Sequence, residues 1–114
     1  MTGSLTLLYC PFPTLESARV AAKHLIEQRL VACCNILPPG ESHYLWDGSY
    51  QTAEEVILLA KTTPAMAVKA GKAIRARHPY ECPAILTIAA TANADFAAWV
   101  GASVKELKIP QSGD

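Results

Sequence analysis

The residues of this chain best suited to chemistry are thiols and an imidazole. Cys10 closes the apolar run of residues 4–10, where it is expected to face the loop that follows. His78 ends a helical stretch, and Cys82 comes four residues later around Pro79-Tyr80-Glu81. A soft thiolate with an imidazole suits copper or zinc, and a thiolate beside a base suits nucleophilic catalysis. Both types also have ordinary uses. An isolated cysteine fills small apolar spaces, and a histidine at a helix end caps carbonyls or bonds a neighbour. Cys33 and Cys34 are adjacent, so on a strand they point to opposite faces and are expected only to pack in a core or interface. The second group is aromatic: Tyr44, Trp46 and Tyr50 surround Asp47-Gly48, and Tyr44 and Trp46, two apart, share a strand face. They read either as a cross-strand aromatic group or as apolar surface for a neighbouring subunit.

Several chemistries lack their residues. No Gly-rich loop precedes a helix, so neither dinucleotide nor Walker-type phosphate binding has a motif. There is no C-x-x-C or H-E-x-x-H pair for zinc and no nucleophile elbow. Ten Lys plus Arg balance ten Asp plus Glu. This leaves no basic surplus for nucleic acid or an anionic membrane surface. Lys69, Lys72, Arg75 and Arg77 read as the solvated face of one helix. Charged residues make up 18%, against the usual quarter or so, while apolar residues reach 51%. Such a surface is poor in charge for a small monomer, and a subunit interface is the expected remedy. No segment is long and apolar enough for a membrane helix, and Met1 to Leu8 do not read as a secretory signal. The four cysteines are therefore expected as reduced thiols in the cytoplasm.

The elements that would position these residues are legible from periodicity and punctuation. Residues 4–10 read as a buried strand ended by Pro11-Phe12-Pro13. Thr14 is placed to cap a helix running to about Arg29, with Ala18, Ala22, Leu25 and Ile26 on its apolar face. Residues 31–37, the break Pro38-Pro39-Gly40 and residues 41–46 lead to Asp47-Gly48, a type I′ hairpin signal. The return strand covers residues 49–62, and the prolines imply a bend or bulge. Thr63-Pro64 starts a helix with Ala67, Ala70, Gly71 and Ile74 inward, ending near His78 because Pro79 disfavours a helical residue before it. Residues 84–89 read as a strand. Asn93 is placed to cap a last helix carrying Phe96, Trp99, Val100, Ser103 and Leu107 on one face. The order is βαββαβ plus a C-terminal helix. That is an α+β, ferredoxin-like antiparallel sheet with two helices on one face and a long hairpin between its second and third strands. One domain is expected over residues 1–114, with 108–114 a loose tail.

Four stretches resemble the CutA family of divalent-cation tolerance proteins. They are L-Y-C-P-F-P-T-L-E-S-A around Cys10; R-L-V-A-C-C-N-I-L-P-P-G-E-S-H-Y-L-W-D-G through Asn35 and Trp46; E-E-V-I-L-L-A-K-T-T through Glu55 and Lys61; and R-H-P-Y-E-C-P through His78. The similarity covers about residues 5–107. It implies a homotrimer built like the PII-type signalling proteins, with the hairpin arms of Tyr44, Trp46 and Tyr50 paired to neighbouring subunits. It also implies a role in tolerance of divalent metals, binding copper or a related divalent cation, with Cys10 and His78 as ligands and no catalysis. Lys61, Tyr80 and Glu81 are then candidates to line an intersubunit cleft. Arg77 stands where some members carry a second histidine, and Ala84 where many carry a glutamate. The alternative is a PII-like signalling or scaffold trimer that binds a small molecule or protein partner between subunits. A third reading, an enzyme using Cys10 and His78, lacks an orienting group and an oxyanion donor.

Overall fold

Alternation along the first apolar run puts Leu8, Cys10 and Phe12 on one face of a strand and Leu7 and Tyr9 on the other. The computed structural model describes residues 1–104. It contains β1 (Thr2–Phe12), α1 (Leu15–Glu27), β2 (Cys33–Trp46), β3 (Ser49–Thr62), a one-turn 3₁₀ helix (Pro64–Met66), α2 (Ala67–Arg77), β4 (Leu86–Asn93) and α3 (Ala94–Ser103). The sheet order is β2-β3-β1-β4, antiparallel throughout. This is the α+β, ferredoxin-like arrangement that the element order implies.

α1 and α2 cover one face. Leu8 and Phe12 of β1, Leu58 of β3, Leu25 of α1 and Ile74 of α2 are fully buried between them. Each such side chain stabilises the fold by about 1.5–3 kcal/mol. α3 lies over part of the opposite face, where Val100 packs with Leu5. Its approach to β1 is close: a Cβ on Gly3 would meet the Ala97 Cβ at 2.6 Å.

Local punctuation behaves as its chemistry requires. The Thr14 Oγ1 accepts from the Ser17 N–H at 3.1 Å, and the Ser17 Oγ accepts from the Thr14 N–H at 3.3 Å, a reciprocal cap. Asp47 and Gly48 have φ of 51° and 75°, as a type I′ turn demands. The Pro38-Pro39 break shifts the β2–β3 register between Leu37 and Gly40, which is a bulge.

Element limits differ in places. β1 continues through Pro11 to Phe12 rather than stopping at Cys10. β4 pairs with β1 only as far as Tyr9, so at Pro11 one edge is free and the missing N–H is tolerated. α1 stops at Glu27, because Arg29 turns left-handed at φ 57° and the N–H groups of Arg29 and Leu30 return to the carbonyls of Ile26 and Leu25. Its buried stripe is Ala18, Ala21 and Leu25, and Ile26 is exposed. β4 starts at Leu86 and runs to Asn93, in register with β1 along eight residues. The Asn93 side chain does not cap α3; it donates to the Asp95 carboxylate. Leu107 and the expected tail lie outside the described residues.

Two features leave apolar surface uncovered. β3 pairs with β1 only over residues 56–62. Residues 40–46 and 49–55 therefore pair only with each other and project as a two-stranded ribbon of about 23 Å at ~3.3 Å per residue. The radius of gyration is 15.7 Å, against about 13 Å for a compact chain of this length. In addition, the sheet face away from α1 and α2 shows Leu37, Leu86 and Ile88 at 42%, 47% and 40% exposure. Among the described residues no helix is long and apolar enough to cross a membrane.

Candidate functional site

The segment after α2 is pinned to the end of the sheet by His78. Pro79 holds His78 in extended geometry, φ −77° and ψ 136°, which directs the ring back under the loop. Its Nε2–H donates to the Pro11 carbonyl at 2.8 Å, and its Nδ1 accepts from the Tyr80 N–H at 3.0 Å. These partners define a neutral imidazole with the proton on Nε2. The ring stacks on Phe12, with centroids 4.3 Å apart, and lies 4.9 Å from the Tyr80 ring. His78 is thus buried with both nitrogens engaged.

The loop so placed faces the base of the ribbon, and a groove of about 990 Å³ opens between them. Tyr44 and Trp46 of β2 and Gln51 of β3 form the ribbon wall. These three share a face because Tyr44 pairs with Gln51 and Trp46 lies two residues on. Pro79, Tyr80, Glu81 and Cys82 form the loop wall. Glu55, only 8% exposed, lies at the base. One of its oxygens accepts from the Tyr80 hydroxyl at 2.7 Å and the other from the Ser42 hydroxyl. Burial, the hydrogen bond to Glu55 and the nearby negative charge push the Tyr80 phenol well above its ordinary range, so it remains a proton donor to Glu55.

The sequence candidates separate in space. Tyr80, Glu81, Tyr44 and Trp46 line the groove. Tyr50 is on the other face of the ribbon, where its hydroxyl meets the His43 Nδ1 and its partner across the strands is Leu45. Lys61 is remote from the groove: it pairs with Leu7 and Cys33 on the sheet face away from α1 and α2, donates to the Asn35 Oδ1 at 2.6 Å and sits 5.7 Å from the centroid of Phe96 on α3. Cys10 does not face the loop. It is fully buried on the helix side of the sheet with Leu8 and Phe12. Burial, and secondarily Glu55, push its thiol up to about 12. Cys34 is also on the helix side, with its thiol pushed up to about 12 by burial and by Cys33. Cys33 lies on the opposite face, opposite Lys61. Among the described residues no three His, Cys, Asp or Glu side chains converge on a metal position. A protonated, buried thiol and an imidazole without a spare lone pair do not fit a resident metal within one chain.

Glu55 at the groove base and its hydrogen-bond partner Ser42 are the residues that residue-by-residue reading passes over. The only local signal is a carboxylate in phase with Ile57 and Leu59, on a strand whose neighbours are apolar. Its partner Tyr80 is 25 residues away and could not be named from spacing.

Comparison with known proteins places this geometry among relatives. Residues 6–103 match the family model described as CutA1 divalent ion tolerance protein. The divalent-cation tolerance protein CutA of Thermus thermophilus is 39% identical over 89 residues, 77% of this chain and 86% of that protein. The crystal structure of the divalent ion tolerance protein CutA1 from Ehrlichia chaffeensis superposes with a TM-score of 0.84 at 37% identity, covering 87% of this chain and 94% of that one. CutA1 from Oryza sativa superposes at 0.86 with 28% identity, covering 93% and 98%.

Proposed function

The chain belongs to the CutA1 divalent ion tolerance protein family, and we propose that it acts as a homotrimer that binds divalent cations without catalysing a reaction. The observation that carries the trimer is the uncovered apolar surface. Leu37, Leu86 and Ile88 on the sheet face, and Tyr44, Leu45, Trp46 and Tyr50 on the ribbon, are all exposed in a single chain. A closed cyclic assembly buries such a surface and leaves no free ribbon edge. Absence of catalysis is supported by the state of Cys10 and His78. Cys10 holds its proton, and neither nitrogen of His78 is free to take one. A cytoplasmic setting is supported by four cysteines that are all unpaired.

Copper or a related divalent ion is the proposed metal, with Cys10 and His78 the donors that the family resemblance implies. Coordination there requires loss of the Cys10 proton and of one His78 hydrogen bond, so the contact is weak and the sphere needs donors from a neighbouring subunit. Cys82, exposed at the groove rim, is the accessible soft donor of the same region. Copper titration of the reduced protein, alongside Cys10→Ser, His78→Ala and Cys82→Ser, tests the assignment. Weakened binding in the first two supports it. Equal affinity in wild type, Cys10→Ser and His78→Ala removes these ligands.

A second reading rests on the groove itself. Its volume is that of a small-molecule site, and it fits a signalling or scaffold trimer that takes a ligand where ribbon and loop meet.

A further inference from the structure

We infer that the groove between the ribbon and the 79–84 loop is closed by a second copy of this chain, whose Lys61 ammonium pairs with Glu55 at the groove base. This rests on the proposed trimer and adds a residue contact to it; it is the alternative to a small molecule in the groove. Three observations carry it. First, the groove is acidic and lacks a counter-charge. Glu55 and Glu81 are its charged residues, and its lining contains no Lys, Arg or His. Glu55 is more than nine-tenths buried. It accepts from the Tyr80 and Ser42 hydroxyls, which are both neutral. A carboxylate has about four acceptor positions, and two are used. A buried charge with only neutral partners is costly.

Second, Lys61 is the opposite case. Among the described residues it is the only Lys or Arg on any of the four strands or on α3; the others belong to α1, α2 and the turn after α1. Its ammonium donates to the Asn35 Oδ1 and lies near the Phe96 ring, and neither partner carries a negative charge. One of its three donors is used. Leu7 pairs with Lys61 on one side and with Ile88 on the other. The ammonium therefore shares a row with an exposed apolar residue that the proposed trimer covers. A lone cation on a covered apolar face needs a carboxylate from across the seam.

Third, the two charges do not meet within one chain. Glu55 and Lys61 lie on the same face of β3, six residues and about 20 Å apart. Opposite charges at the two ends of one face complement each other head to tail. That is the contact of a closed ring, in which each copy gives Lys61 to one neighbour and Glu55 to the other. The same neighbour then covers Tyr44 and Trp46, the exposed aromatic residues of the ribbon wall.

The test is a double-mutant cycle on the full-length protein, with Lys61→Met and Glu55→Gln made singly and together. Both substitutions nearly keep side-chain size, and Glu55→Gln keeps an acceptor for the two hydroxyls. Trimer dissociation is measured by mass over a dilution series, and circular dichroism checks the fold. Each single variant is expected to weaken the trimer about thirtyfold or more. The double variant is expected to lose no more than either single one, because the first substitution already breaks the pair. Losses that multiply would overturn the pairing and leave the trimer standing. A wild type that stays a single chain at every concentration would overturn both. Where Glu55→Gln does not fold, the wild type decides. Carbodiimide coupling of trimers reassembled from ¹⁵N-labelled and unlabelled chains is expected to join Lys61 of one chain to Glu55 or Glu81 of another, read as mixed-isotope peptides by mass spectrometry. A trimer in which Lys61 couples to neither overturns the inference.

Discussion

A thiol removed from water keeps its proton, and Cys10 is the case in point. It combines complete burial with a titration pushed up to about 12, so at neutral pH it lacks the thiolate that reacts with electrophiles. Cys82 is exposed on the loop wall. Iodoacetamide at neutral pH is therefore expected to label Cys82 in the folded protein and Cys10 only after denaturation, as read by peptide mass spectrometry. Rapid labelling of native Cys10 would contradict its placement. The same burial predicts a pH dependence. The folded state favours the neutral thiols of Cys10 and Cys34, so their contribution to stability is complete below the unfolded value of about 9 and is lost as pH rises toward 12. Melting temperature under reducing conditions should fall above pH 9, and Cys10→Ala should flatten that fall. An identical alkaline limb in the variant would sink the assignment.

Secondary-structure elements are tied off by short-range chemistry that acts within a few residues. The Thr14–Ser17 reciprocal cap satisfies orphan donors at the start of α1. Thr14→Ala is expected to cost about 1 kcal/mol in urea unfolding, and a change under a few tenths would mean that the cap is idle. The Thr14 cap, the Asp47-Gly48 turn and the bulge after Leu37 were legible from residue types because each depends on neighbours in the chain, whereas the expected Asn93 cap did not form. Strand limits were not, because they depend on the partner strand. Pro11 stays in β1 only because β4 has already left that edge. The extent of β4 follows from its register with β1 rather than from its own apolar run. Ile26 shares the helical period of α1 yet stays exposed, because the position of the sheet selects which stripe is buried.

For the molecule as a whole, the uncovered sheet face and the ribbon are the surfaces that the proposed trimer covers. In an isolated chain Ile88 is 40% exposed, and Ile88→Glu would be nearly neutral there, as surface substitutions are. In the proposed trimer it places a charge in an apolar seam. Mass measurement in solution is expected to show trimer for wild type and dissociation for Ile88→Glu. A wild type that stays a single chain at all concentrations would refute the assembly.

Element order, the hairpin, both α1 and α2 and the family resemblance could be read from residues adjacent or at fixed short spacing, where backbone preference and periodicity act without knowledge of the rest. The groove could not. It exists because His78 reaches a carbonyl 67 positions earlier and Tyr80 a carboxylate 25 positions earlier, and such pairings are set only when the sheet is assembled. The same assembly turned Cys10 inward and carried Lys61 to the far end of β3, since each strand residue takes its face and depth from its partners across the sheet rather than from its side-chain type.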